Sequence, residues 1–196
     1  MSDTIVAKGS DSKFAPHPEG QFVGLCVDAI DLGERVEQFQ NQPKKLAHKC
    51  ALIFRTGEKN EGGEFIDIGK EFTVSMGDKA NLRKFLEAWR GKKYDEAAIK
   101  QGVPLHKMTG NYALITVEHR LSGGGRTYAN ITAAVGVPKQ MRDTVPTFPE
   151  YKRPDFWSQR KEEYKKEAQA FRAEAGAPPT DDDGSNGFDE DDDLPF

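Results

Sequence analysis

Alternating apolar and polar positions predict five β-strands between residues 20 and 138. Each segment is rich in β-branched and aromatic residues and is bounded by Gly, Pro, Asn or Ser clusters. The predicted strands cover 21–32, 44–55, 64–75, 111–121 and 126–135. A run of Ser and Gly at 122–125 separates the last two and predicts a hairpin turn.

A helix is predicted between the third and fourth strands. Asp78 is a suitable N-cap and Gly91 a suitable C-cap, and apolar residues between them recur at helical spacing: Leu82, Phe85, Leu86 and Trp89. This order of elements is the plan of an OB-fold barrel. We therefore expect a mainly β protein, a five-stranded OB-fold barrel with a helix between strands 3 and 4, a C-terminal helix and a disordered acidic tail.

Composition divides the chain into four parts: a flexible N-terminal arm at 1–19, the barrel domain at 20–138, a Pro-rich linker with a charged helix at 139–176, and a disordered tail at 177–196. The chain has 28 basic and 24 acidic residues up to Gly176, but 8 acidic and no basic residues after it. A mildly basic body with an acidic tail is typical of a protein that handles a polyanion.

Cations and aromatic rings recur on and beside the predicted strands. Binding of single strands without sequence readout needs cations along the phosphates and rings on which bases stack. For each side chain alone, a place in the core or on an ordinary solvated surface is the competing interpretation. The candidate single-stranded DNA-binding residues are Phe39, Lys44, Lys45, Lys49, Arg55, Phe72, Arg120, Arg126 and Tyr128.

The sequence ends in an acidic run followed by apolar residues: Asp191, Asp192, Asp193, Leu194, Pro195 and Phe196. We expect Phe196 to fill an apolar pocket on a partner while its carboxylate meets a cation and the acidic residues steer the tail to a basic rim. This ending resembles the tip of bacterial single-stranded DNA-binding proteins. The resemblance implies that the tip recruits replication, recombination and repair enzymes.

Residues 16–33 (PHPEGQFVGLCVDAIDLG) resemble segments of the divergent OB-fold single-stranded DNA-binding proteins of bacteriophages. Together these features predict a phage-type protein that coats and protects single-stranded DNA in replication or recombination. The main alternative is an OB-like adaptor that binds no nucleic acid and sequesters host enzymes through its tail. Strand annealing is a third interpretation, and a homo-oligomer is compatible with each.

Several other classes of function are not expected. The chain has no Walker loop, HExxH or GxSxG signature, so we predict no enzyme and no cofactor. Cys26 and Cys50 are far apart and lack metal-ligand spacing, so no metal site is predicted. Without a run of membrane-spanning length, the sequence predicts a soluble cytoplasmic protein. The helix from Asp155 is expected to fold back on the barrel; the alternative is a partner contact through Phe156 and Trp157.

Overall fold

A computed structural model describes residues 16–144, 146–174 and 176. None of the described helices is both long and apolar enough to cross a membrane. Two short 3-10 helices, Leu105–Met108 and Lys139–Thr144, accompany the main elements. The strands and α-helices are β1 Gly20–Glu37, β2 Lys45–Arg55, β3 Ile68–Thr73, α1 Asn81–Arg90, α2 Glu96–Gln101, β4 Tyr112–Leu121, β5 Thr127–Gly136 and α3 Asp155–Glu174.

The five strands form one antiparallel sheet in the order β3-β2-β1-β4-β5. This confirms the prediction of a mainly β fold with five strands and a helix after the third. Strand β1 is longer than predicted: it continues past Gly33 to Glu37, with register shifts between Cys26 and Asp28 and between Asp31 and Gly33. Such irregularities bend a strand, so β1 pairs with β4 in its first part and with β2 in its remainder.

The sheet is not closed: in the part of the chain that the structure describes, no strand pairing joins its edges β3 and β5. The two edges nevertheless approach each other. The Lys70 ammonium, on β3, donates a hydrogen bond of 2.6 Å to the carbonyl oxygen of Ile131 on β5. The sheet therefore curves so that its two edge strands lie beside each other, and we call the gap between β3 and β5 the seam.

One face of the sheet forms the main core with α1. The apolar side of α1 carries the residues predicted from helical spacing, and Leu82, Phe85 and Trp89 pack against Phe54 and its neighbours. Gly91 ends the helix in the left-handed conformation, as predicted, with φ of 67°. The predicted N-cap is wrong, because Ala80 occupies that position and Asp78 pairs instead with Arg83.

The other face of β1, β2 and β3 is covered by α3. Tyr164 and Ala168 of this helix are buried, and Tyr164 packs in a second apolar cluster with Ile30 and Ile53. This agrees with a helix folded back on the sheet. Residues 146–154 also contact the sheet, since Tyr112 donates a hydrogen bond of 2.7 Å to the Pro146 carbonyl. The described residues of the predicted Pro-rich linker thus contact the sheet.

The ordered domain begins before Gly20. His17 is 2% exposed, and its Nε2 lies 2.6 Å from the Thr56 hydroxyl. The carboxylate of Glu19 accepts a hydrogen bond of 2.7 Å from the backbone of His119. The last four residues of the predicted flexible arm therefore belong to the sheet domain, and residues 1–15 of that arm lie outside the described part of the chain.

Candidate nucleic-acid interface

The β4–β5 hairpin presents three of the predicted binding residues to solvent. Arg120 lies directly opposite Tyr128 in the strand register, and Arg126 precedes β5. Since Val117 and Ile131 point into the core, the alternation of the pleat directs Arg120 and Tyr128 outward. All three are exposed, Tyr128 at 46%. Neither arginine forms an ion pair with a described residue, so the hairpin offers cations beside an exposed ring.

The glycine-rich turn of this hairpin is built as predicted. The Ser122 backbone N–H donates a hydrogen bond of 2.8 Å to the Arg126 carbonyl, and the Ser122 hydroxyl accepts one of 3.1 Å from the Arg126 N–H. Gly125 adopts a φ of 74°, a conformation that other residues rarely take. The turn thereby closes the hairpin and holds Arg126 at its tip.

The β1–β2 loop, residues 38–44, carries a second group of predicted residues. Lys44 and Lys45 are exposed and Phe39 is half-buried. This loop follows the C-terminal end of β1, whereas the N-terminal end of β1 pairs with β4 next to the hairpin. The two groups of candidate residues therefore flank β1 at opposite ends.

Lys49 and Phe72 are not accessible to a nucleic acid, which corrects their assignment as binding residues. Lys49 is 8% exposed, donates a hydrogen bond of 2.6 Å to the Thr73 hydroxyl and pairs with Glu37. Phe72 is 4% exposed, and its ring packs on that of Phe85 at 4.9 Å between centroids. The strand pattern placed both residues on strands correctly, but Phe72 is buried against α1 and Lys49 is enclosed with its polar partners Thr73 and Glu37.

Arg55 is a structural residue, and its assignment is corrected in the same way. It is 8% exposed and forms a two-pronged pair with Asp67, with donor–acceptor distances of 2.7 and 2.8 Å. Its guanidinium also lies 4.7 Å from the ring centroid of Phe65 and 5.5 Å from that of Tyr151. The hydrogen bonds to Asp67 raise the pKa of Arg55. The positive charge of Arg55 is therefore neutralised by a carboxylate of the same chain.

Opposite charges meet where α3, and Arg153 just before it, contact the sheet. Every carboxylate in these pairs comes from the strands, and every cation comes from the C-terminal segment. Tyr164 adds a hydrogen bond of 2.8 Å from its hydroxyl to Glu71. The pairs are Arg153 with Asp28, Arg160 with Glu71, Lys161 with Asp31, and Arg172 with Glu34. Removing α3 would therefore expose an acidic face, which repels phosphates.

Lys70 is a further cation of the sheet, and it is not among the DNA-binding residues predicted from the sequence. Its ammonium lies in the seam, where it donates to the Ile131 carbonyl at 2.6 Å and to the Asn130 side chain at 3.4 Å. Burial, and then the nearby charge of Arg120, lower the pKa of Lys70. The sequence shows only that Lys70 lies in the middle of a short strand. Its role becomes apparent only in the folded protein, where β5 approaches β3.

A cavity of about 230 Å³ lies beside His48 and Asp31, which are 2.7 Å apart. Its lining is mostly apolar and includes Cys50, whose pKa burial raises to about 12. Among the described residues no group of three or more His, Cys, Asp or Glu side chains is arranged to hold a metal ion. Burial therefore keeps the Cys50 thiol protonated near neutral pH, which makes it a poor nucleophile.

The predicted partner-docking residues, Asp191, Asp192, Asp193, Leu194, Pro195 and Phe196, lie outside the described part of the chain. Their role stays a prediction. No protein-family model matches the chain, and no curated protein matches it either.

Proposed function

We propose that this chain binds single-stranded DNA without sequence preference and coats it during DNA replication or recombination, as a protein of bacteriophage type. The observation that carries the proposal is the β4–β5 hairpin, where Arg120 and Arg126 accompany the exposed ring of Tyr128. Cations that have no ion-pair partner among the described residues attract the phosphates, and an exposed aromatic ring gives a base a stacking surface worth about 1–3 kcal/mol. The chemistry required is binding alone, so we propose no catalytic step.

The fold supports this proposal through its strand order. We propose that the sheet is an OB-type barrel, since β1 pairs with both β2 and β4, α1 lies between β3 and β4, and β3 approaches β5. OB-folds bind oligonucleotides on the face of strands 2 and 3 and on the loops next to it. Because α3 and its ion pairs occupy that face here, we place the DNA on the hairpin and toward the seam.

A second part of the proposal concerns the segment Asp191–Phe196. Its acidic and apolar residues suit a docking peptide for replication, recombination and repair enzymes. The eight carboxylates after Gly176 also make the tail a competitor for the cations of the hairpin. DNA would displace the tail and release the docking segment to partners. This competition accounts for an acidic tail on a body of positive net charge.

The hairpin is tested by reversing its charge. The variant Arg120→Glu/Arg126→Glu should weaken binding of a labelled poly-dT strand at least tenfold at low salt, measured by fluorescence anisotropy. The control variant Lys165→Glu/Lys166→Glu makes the same change in charge on the solvent side of α3, where both lysines are exposed. Equal losses of poly-dT affinity in the two variants would show a general charge effect and would contradict the assignment of the hairpin as the DNA-binding surface.

A second candidate is an adaptor that binds no nucleic acid and sequesters enzymes through its tail. The observation in its favour is that α3 covers the face on which OB-folds bind oligonucleotides. Under this candidate the purified chain does not shift poly-dT anisotropy at any salt concentration, yet it still captures partners through Asp191–Phe196. The hairpin variants would then behave like the unchanged protein in partner capture.

A further inference from the structure

The seam between β3 and β5 contains a cation in an unusual position. Lys70 lies two residues from each of the core residues Ile68 and Phe72. Side chains two apart on a strand share a face, so the Lys70 side chain starts on the core side of β3. Its ammonium then reaches the edge of β5, where it donates to the Ile131 carbonyl and the Asn130 amide oxygen. The side chain therefore places a positive charge in the gap between the two edge strands.

The Lys70 ammonium keeps hydrogen-bonding capacity after these two contacts. A lysine ammonium has three N–H groups, and acceptors among the described residues match two of them. The Asn130 amide uses its oxygen for Lys70, which leaves its NH₂ group for another acceptor. Arg120 adds a guanidinium with no ion pair to a described residue. The arrangement thus supplies N–H donors and positive charge, and no anion from the described part of the chain lies between them.

No carboxylate among the described residues fills this role. Glu118 lies opposite Asn130 in the strand register, but it is exposed and forms no ion pair with Lys70 or Arg120 among the described residues. Elsewhere on the sheet, half-buried and buried cations do find carboxylates, as Arg55 does with Asp67. Two cations that repel each other are stabilised when an anion binds between them.

We propose that Lys70, Asn130 and Arg120 form a phosphate-binding site in the seam, which holds one backbone phosphodiester of a bound single strand next to the ring of Tyr128. The site deepens the proposed function and rests on it. A phosphate oxygen accepts several hydrogen bonds at once, and charge-assisted bonds of this kind are about twice as strong as neutral ones. Tyr128 and Arg120 are directly opposite in the register, so a base next to the held phosphate reaches the ring.

The first test compares salt dependence in matched variants. Lys70→Gln should weaken poly-dT binding and reduce the slope of log affinity against log salt concentration by about 0.7, the contribution of one phosphate contact to a single strand. Lys70→Arg should retain most of the binding. Lys165→Gln, which removes an exposed lysine from α3, should leave both quantities unchanged. An unchanged slope in Lys70→Gln would overturn the proposal.

The second test separates a phosphate contact from a purely structural role of Lys70. In protein labelled at lysine side chains, the NMR signal of Lys70 is assigned with the Lys70→Arg variant and titrated with pH. Pyrophosphate, and separately poly-dT, should raise the pKa of Lys70, and Arg120→Gln should raise it in the free protein because it removes a repelling charge. If neither pyrophosphate nor poly-dT changes the pKa of Lys70, the proposed phosphate site is wrong.

These experiments distinguish failure of the single-strand function from failure of the phosphate site in the seam. If poly-dT does not bind at low salt while pyrophosphate still shifts Lys70, the seam is an anion site and the single-strand function is wrong. If poly-dT binds the unchanged protein tightly while Lys70 does not respond, the function stands and the seam site is wrong.

Discussion

Substituting Gly69 by alanine introduces a methyl group directly under the docked helix α3. A Cβ atom at this position would lie 2.8 Å from Cζ2 and 2.9 Å from Cη2 of Trp157, and 2.9 Å from Cδ1 of Ile53. These distances are shorter than ordinary carbon contacts, so the helix or the strand has to shift. Overpacking of this kind costs about 1–3 kcal/mol of unfolding free energy. We expect Gly69→Ala to fall within this range.

A double-mutant cycle tests whether Trp157 causes the loss of stability in Gly69→Ala. Two of the three close atoms belong to Trp157, so Gly69→Ala should cost much less in a Trp157→Ala background. The coupling between the two substitutions should be about 1–2 kcal/mol, well above the 0.3–0.5 kcal/mol by which independent sites depart from additivity. Gly77→Ala is the control, because a Cβ there meets only the Ser75 hydroxyl at 3.6 Å.

The assay is urea unfolding followed by far-UV circular dichroism, with an unchanged m value as the sign that the unfolded state is not affected. Additive costs in the cycle would refute the packing argument. The same variants also test whether α3 is a displaceable cover. Since the face beneath α3 is acidic, loosening the helix should not improve binding of poly-dT. Tighter binding by Gly69→Ala would contradict this reasoning and make α3 an inhibitory element.

Three further predictions concern stability and the tail. Arg55→Ala should cost about 3–5 kcal/mol in urea unfolding because it leaves Asp67 unpaired; it should not change poly-dT affinity per folded molecule, and a selective loss of binding would restore Arg55 as a DNA contact. Burial raises the pKa of Cys26 and Cys50 from 9.0 to about 12, so the folded state holds more protons than the unfolded state in that window, and stability should fall as pH rises from about 9 to 12. A Cys26→Ala/Cys50→Ala variant should show a flatter decline, and an identical decline would contradict the assignment. Deleting 177–196 should tighten poly-dT binding at low salt and abolish partner capture, whereas unchanged affinity would rule out competition by the tail.

The order of strands and helices along the chain could be predicted from the sequence because each element carries a local signal. Alternation, turn residues and the spacing of Leu82, Phe85 and Trp89 act over a few residues, and the observed elements follow them. The extension of β1 to Glu37 was missed because polar residues dominate there. That stretch is strand because it pairs with β2, which is a tertiary effect.

The assignment of individual side chains failed where a second layer of structure covers the sheet. Lys49 and Arg55 have the spacing of a basic strand face, and a sheet with one bare side would expose them. Other parts of the chain cover that side, since Phe65 and Tyr151 pack on Arg55 and Tyr164 of α3 packs on Ile53. The pairing of each cation with Glu37 or Asp67 compensates for the burial. By contrast, Arg120 and Tyr128 lie on a hairpin that α3 does not cover, and they are exposed as expected.

The most direct test of single-strand binding compares two nucleic acids of equal length. Fluorescence anisotropy of a labelled poly-dT of about 30 nucleotides and of a matched duplex is measured with the unchanged protein over a series of salt concentrations. We expect tight binding of the single strand that weakens steeply with salt, and much weaker binding of the duplex. Failure to bind the single strand at low salt, or equal affinity for both, would contradict it.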